Sequence, residues 1–174
     1  PDADCTLTPR DPFQLLVSAI LAAQCTDARV NLVTPDLFRR YPDISAFAEA
    51  DRTELEAAIR SCGFFRTKAR AIQESARRIL LAHDGQVPGD MAALLALPGV
   101  GRKIANLLLG DAFGVPGVVV DTHAGRISRL MGLTDHTDPA RIEQDLRRLL
   151  PESEWTSFGH RLVAHGRALC IARR

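Results

Sequence analysis

A capping aspartate recurs along this chain, each time just ahead of apolar residues spaced three and four apart, and that pattern commits the chain to packed helices. Asp11-Pro12 opens the first, because aspartate can satisfy free helix amides and proline tolerates the first helical position; Phe13, Leu16, Val17, Ile20 and Leu21 follow at helical spacing. Asp27 is expected to cap a second helix reaching Tyr41. Asp51 with Glu54 resembles a capping box for a helix through Ile59 that Gly63 ends. The spacing predicts a longer helix over 67–83 with Ile72, Ile79 and Leu80 on its apolar face, a short one after Asp90, and one from Arg102 to Phe113. Asp121 caps another to Gly132, Asp138-Pro139 starts the next through Leu149, and a last spans 152–170. Val118-Val119-Val120 is the one strand-like run, too short and isolated to define a sheet. The expected fold is all-α, with about nine or ten helices.

At 174 residues the chain suits one or two small domains. The turn from Gly114 to Gly117 is the expected point at which it leaves a central helical bundle. A net charge of +1 lacks the basic excess that advertises nucleic-acid binding, so any DNA contact must be local. Cys5, Cys25, Cys62 and Cys170 show no C-x-x-C pair, which suggests reduced thiols rather than a disulfide scaffold or a closed zinc site. The most apolar segment, 13–23, is shorter than the roughly 20 residues of a membrane span, so no membrane partner is expected. No secretory segment is seen, so an intracellular site is expected. The chain starts without methionine, so a few native residues are expected to be missing.

Pro98-Gly99-Val100-Gly101 lies between two of these helices, in LPGVGRKIAN. Glycines permit a tight reversal and close approach of another backbone. The helix that begins at Arg102 offers unpaired N–H groups and a positive dipole end, an anion site. An ordinary interhelical turn is the plainer reading of G-V-G alone; the longer string entering an apolar helix favours a helix-hairpin-helix that grips a DNA phosphate.

Lys103 stands in that helix's first turn. The chain contains 20 arginines and only two lysines, Lys68 and Lys103. Arginine cannot deprotonate in proteins, whereas lysine can attack as a neutral amine. The positive end of a helix and partial burial both favour that neutral form. A surface lysine that merely solvates its helix is the alternative. Lys68, between Arg66 and Arg70, is expected to face solvent or a phosphate.

Asp121 in V-V-V-D-T-H is the candidate partner. The helix climbs about 15 Å from Lys103 to Phe113, and 114–121 can span up to roughly 26 Å, so the chain can return Asp121 alongside Lys103. The plainer reading is that Asp121 only caps its helix; the two roles are compatible.

Taken together, Lys103 in LPGVGRK, Asp121 in VDTH, AAQCTD at 22–27 and HGRALCIAR at 165–173 resemble the endonuclease III family of helix-hairpin-helix DNA glycosylases. The resemblance covers about 12–173. It implies a two-domain fold with a central six-helix domain, here residues 11–116, and a second helical domain from residues 1–10 plus 117–174, with DNA between them. It implies a bifunctional glycosylase and AP lyase for oxidised pyrimidines in base excision repair, monomeric, acting on double-stranded DNA with a damaged base or abasic site. Such enzymes flip the damaged nucleotide out of the duplex. Lys103 would attack the sugar and Asp121 would assist. Pro98, Gly99, Val100, Gly101 and Arg102 would bind the backbone, Gln24 would enter the hole left by the base, and Phe64, where the family often has leucine, would wedge between bases. His123 and Asp27 would support the site from behind. The plainer readings are a polar helix end for Gln24 and a core aromatic for Phe64.

The same resemblance implies a [4Fe-4S] cluster on cysteines spaced C-x6-C-x2-C-x5-C. Cys170 matches the first, and Cys5, Cys25 and Cys62 do not match the others, so a cluster is expected only if the native chain extends past Arg174. The alternative for Cys170 is a buried thiol. Two rival functions remain at this level: a monofunctional adenine-mismatch-type glycosylase, against which Lys103 argues, and a non-catalytic helix-hairpin-helix DNA-binding module, against which the Lys103 and Asp121 pair argues.

Overall fold

The computed structural model describes residues 3–171, which carry ten α-helices and no strand. Ala172 and Arg173 of the C-terminal motif, and the outermost residues of the second domain expected from the sequence, lie outside the described residues. The chain divides into two compact units, one of residues 6–104 and one formed by residues up to Cys5 together with those from Ala105 onward. The chain passes from one to the other inside a helix rather than in a loop.

The larger unit holds α1 (Pro12–Ala22), α2 (Asp27–Arg40), α3 (Ile44–Glu49), α4 (Arg52–Ala58), α5 (Phe65–Ala82), α6 (Met91–Leu95) and the start of α7 (Arg102–Phe113). Asp11, Asp51 and Asp90 cap α1, α4 and α6 through side-chain bonds to the amides of Gln14, Glu54 and Ala93, as their positions predict. Three starts differ from the sequence reading; α5 begins at Phe65, two residues ahead of the expected 67. α2 is capped by Thr26, whose hydroxyl accepts from the Arg29 amide, and Asp27 is its first residue, with its carboxylate on the Thr6 hydroxyl. Helix α3, capped by Asp43, is six residues long, too short to show an apolar period. Phe13, Leu16, Leu21, Phe47, Leu55, Ile72 and Ile79 are buried, with the Phe13 and Phe47 rings edge to face at 5.4 Å. Helix α5 is the spine of this unit, packing against α1, α3 and α4.

The second unit holds the rest of α7, then α8 (Thr122–Leu130), α9 (Pro139–Leu149) and α10 (Trp155–Ala168), the last entered through a 3-10 turn over Glu152–Glu154. Asp121 and Asp138 cap α8 and α9. Its core gathers Val118, Val120, Ala124, Ile127, Ile142, Leu146 and Leu162. The valine run is neither helix nor strand. It threads between helices because two glycines let backbones meet. A Cβ on Gly117 would lie 2.9 Å from the Asn106 carbonyl oxygen, and one on Gly159 would lie 3.2 Å from that of Val119. Asn106, buried on α7, donates from Nδ2 to the Val118 carbonyl at 3.1 Å and so supplies a bond that a sheet partner would otherwise make. No helix among the described residues is long and apolar enough to cross a membrane.

Candidate active site

One face of α5 organises the candidate DNA-contacting residues of the larger unit. Phe64 is its N-cap, Lys68 follows one turn on, and Ala71 and Ser75 continue the same stripe at helical spacing. Gly99 lies against Ala71: it has φ +77°, and a Cβ there would approach the Ala71 Cβ to 2.8 Å. Both its backbone and its neighbour therefore demand glycine. Ser75 Oγ donates to the Pro98 carbonyl at 3.0 Å, fixing the other side of the hairpin. Val100 is buried, and its amide closes the turn onto the Leu97 carbonyl, so this residue shapes the loop from inside. Gly101 is different: it is exposed and a Cβ on it would meet nothing within 4 Å. Packing within the unit does not require glycine there.

Gln24 and Phe64 share an uncommon backbone. Among described residues other than glycine only Gln24, Phe64 and Asp84 have positive φ, at 52°, 45° and 49°. For a bulky aromatic this is a genuine outlier, costing on the order of 1–3 kcal/mol, and such strain concentrates at functional sites. Phe64 is 66% exposed, which removes the core-aromatic alternative, and Gln24 is exposed too. The sequence carries a hint of the Phe64 geometry in Gly63, at φ +69°, which lets the chain turn into the helix.

Lys68 corrects the expectation that it faces solvent. It is 5% exposed, and its Nζ donates at 2.8 Å to the carbonyls of both Leu21 and Cys62. Burial holds its amine below the ordinary lysine range, opposed by the nearby Cys25 and Cys62. Burial, with Cys25 adjoining, also pushes the Cys62 thiol up to about 11. The Arg66-Thr-Lys68-Ala-Arg70 setting reads as a solvated charge run because nothing local reveals that α5 turns this one side chain inward.

Lys103 is the second residue of α7 and is exposed, so the partial burial considered from the sequence is not what distinguishes it. What does is arithmetic: the chain has two lysines, and with Lys68 committed to carbonyls, Lys103 is its only exposed lysine. No acidic residue stands in the first turn of α7 to hold the amine in an ion pair along its own helix.

Asp121 is half-buried at the head of α8, with Oδ1 accepting the Ala124 amide at 2.7 Å. The cap fixes the carboxylate's orientation. His123, two residues on, packs on Gly166 of α10, where a Cβ would come within 2.4 Å of its Nδ1. Lys103 and Asp121 thus each stand at a helix start, one in each unit.

Cys170 lies just after α10, packed on the core of its unit, with its Sγ accepting from Arg126 Nη1 at 2.8 Å. Among the described residues no group of three or more His, Cys, Asp or Glu side chains could hold a metal ion. Cys25 and Cys62 are neighbours in the other unit and engage each other. No four-thiolate set of the kind a [4Fe-4S] cluster needs is found among the described residues.

The HhH-GPD superfamily model, described as base excision DNA repair protein, matches residues 17–152. Endonuclease III of Synechocystis sp. is 54% identical over 175 residues, a match covering 100% of this chain and 80% of that protein. Two solved structures, a non-covalent endonuclease III–DNA complex and a trapped endonuclease III–DNA covalent intermediate, each superpose with a TM-score of 0.96 at 43% identity, covering 100% of this chain and 82% of theirs. The chain belongs to the HhH-GPD superfamily of base excision DNA repair proteins and, within it, to the endonuclease III family.

Proposed function

We propose that Lys103 and Asp121 perform the chemistry of this bifunctional DNA glycosylase and AP lyase, and that its substrates are oxidised pyrimidines in duplex DNA. The observation that carries the assignment is that Lys103 is the chain's only exposed lysine. A relative's structure, described as a trapped covalent enzyme–DNA intermediate, supports a covalent route.

In this reading the neutral Lys103 amine attacks C1′ of the flipped nucleotide, and the C1′–N bond breaks with its electron pair leaving on the base. Asp121 accepts the proton released from the amine or stabilises positive charge developing on the sugar. The C1′–O4′ bond then opens, its electron pair going to O4′, which takes up a proton from Asp121 or water, to give an iminium joining C1′ to Nζ. Loss of a C2′ proton expels the 3′ phosphate by β-elimination, which cuts the strand, and water finally hydrolyses the iminium to free the lysine.

The remaining roles follow the same reading. Pro98 to Arg102 lead a phosphate to the amides that open α7. Gln24 fills the space vacated by the base and Phe64 unstacks its neighbour. The central domain is assigned to residues 11–116 and the second to 1–10 with 117–174. The protein works as a monomer in the cytoplasm, at the nucleoid where damaged DNA lies. Should the native chain continue past Arg174, Cys170 would be the first thiolate of a [4Fe-4S] cluster; no step of the reaction runs through one.

The test is borohydride trapping on a thymine-glycol duplex. Wild-type protein becomes covalently linked to DNA, and Lys103→Gln loses both the link and strand cleavage while still binding. Retained trapping in that variant would overturn the assignment of the nucleophile, and base release without any trapping in wild type would favour a monofunctional glycosylase.

A further inference from the structure

Lys68 has no part in the chemistry proposed above, yet its Nζ hydrogen-bonds the backbones leading to both Gln24 and Phe64. We infer that Lys68 is a positioning residue that sets these two side chains in register from a single buried amine. The inference rests on the reading that Gln24 and Phe64 enter the duplex.

The local hydrogen-bond accounting explains why an amine is needed. At the end of α1, Ala23 N–H returns to Ile20 O and Cys25 N–H to Ala22 O. The Leu21 carbonyl, whose usual partner would be the Cys25 amide, is left over. At the end of the 3-10 turn over Arg60–Cys62, Cys62 N–H goes to Ile59 O and Gly63 N–H to Arg60 O, and the Cys62 carbonyl is left over as well. Lys68 Nζ takes both, at 2.8 Å each. Leu21 precedes Gln24 by three residues and Cys62 precedes Phe64 by two.

Each pinned carbonyl therefore sits directly upstream of a residue held at positive φ. Such a conformation persists only where the surroundings over-determine it. The Lys68 backbone amide adds a third tie, donating to the Phe64 carbonyl at 3.0 Å. A compact amine with rotatable donors fits between two carbonyls that converge on one buried point, whereas a planar guanidinium fork would not. That accounts for a lysine here in a chain that otherwise uses arginine.

The experiment compares Lys68→Met, which keeps the length and apolar stem without the donor, with Gln24→Ala, Phe64→Ala and the Lys68→Met/Phe64→Ala double variant. The readouts are the fluorescence of 2-aminopurine beside a thymine glycol, single-turnover base release, and cooperativity of thermal unfolding. Lys68→Met is expected to unfold cooperatively, to lose most of the unstacking signal, and to slow base release by roughly tenfold to a hundredfold. The double variant is expected to be no slower than the worse single variant, because Lys68 acts through the residue already removed. Additive losses would mark a general structural role and overturn the inference, as would wild-type unstacking in Lys68→Met while Gln24→Ala and Phe64→Ala are impaired. Wild-type unstacking in both alanine variants would instead overturn the reading of those residues as duplex probes. If Lys68→Met does not fold, Lys68→Gln, which keeps an N–H2 donor on a shorter arm, enters the same comparison. Partial loss of unstacking there supports the inference, and unimpaired unstacking overturns it.

Discussion

The Asn106 amide, buried in the middle of α7, holds the Val118 carbonyl at 3.1 Å and thereby fixes the irregular segment that delivers Asp121 to the head of α8. Replacing Asn106 with leucine leaves that carbonyl buried and unpaired. The expected cost is about 1–3 kcal/mol of stability in urea unfolding. Base release should fall in the same variant while DNA affinity stays near wild type, because the segment's end carries Asp121 and not the phosphate contacts. Wild-type release at reduced stability would show that the segment's placement tolerates loss of this bond.

Asp121→Asn separates capping from chemistry. Asparagine caps about as well as aspartate, so stability should change by less than about 1 kcal/mol, mostly from the charge lost at the start of α8. Single-turnover base release should slow by about a hundredfold or more if the carboxylate takes a proton or stabilises charge. An unchanged rate would leave Asp121 as a cap only.

The two hairpin glycines should answer differently to alanine. Gly99→Ala meets both a left-handed backbone, costing about 1–2 kcal/mol, and the Ala71 methyl, for about 1–3 kcal/mol of overpacking. Gly101→Ala has open space around it, so its melting temperature should hold. Its affinity for duplex DNA should drop severalfold if a phosphate approaches that backbone, and binding by the wild type should weaken steeply with salt. A Gly101→Ala protein with unaltered affinity, or a flat salt response, would count against the hairpin as a phosphate site.

The His160 ring bonds Asp111 at 2.8 Å, with both side chains largely buried. The Asp111 hydrogen bond raises the imidazole above its ordinary value, burial opposes this, and the charges of Asp111 and Asp4 add to the rise. The folded protein therefore binds this proton more tightly than the unfolded chain does. The stabilisation is fully present below about pH 6.5, the unfolded value, and is lost as pH climbs through the raised folded value. Asp111→Asn should cost about 1.5–3 kcal/mol under mildly acidic conditions and progressively less toward alkaline pH. A gap between the two melting curves that stays constant across this range would show that the pair is not charged.

Much of the local architecture was written in the chain. Aspartate before an apolar period starts a helix wherever it occurs, since the cap and the first turn are a few residues apart, and Asp11, Asp51, Asp90, Asp121 and Asp138 all cap as read. Where two polar residues compete for a helix start, as Thr26 and Asp27 do, the sequence does not choose between them, because either oxygen reaches an orphan amide. The hairpin was legible for the same local reason: its glycines, proline and following helix are contiguous, and the family could be read from motif order.

What lies across the fold was not legible. Nothing in Arg66-Thr-Lys68-Ala-Arg70 reveals that one cation of the run points inward to carbonyls 47 and six residues away. The duty of Asn106 toward Val118 was equally invisible. Sequence determines which groups a short stretch can satisfy by itself; the packing of helices decides which carbonyls are left without a partner and which distant side chain must supply it. That is why the burial of Lys68 and the exposure of Lys103 could be read only in three dimensions.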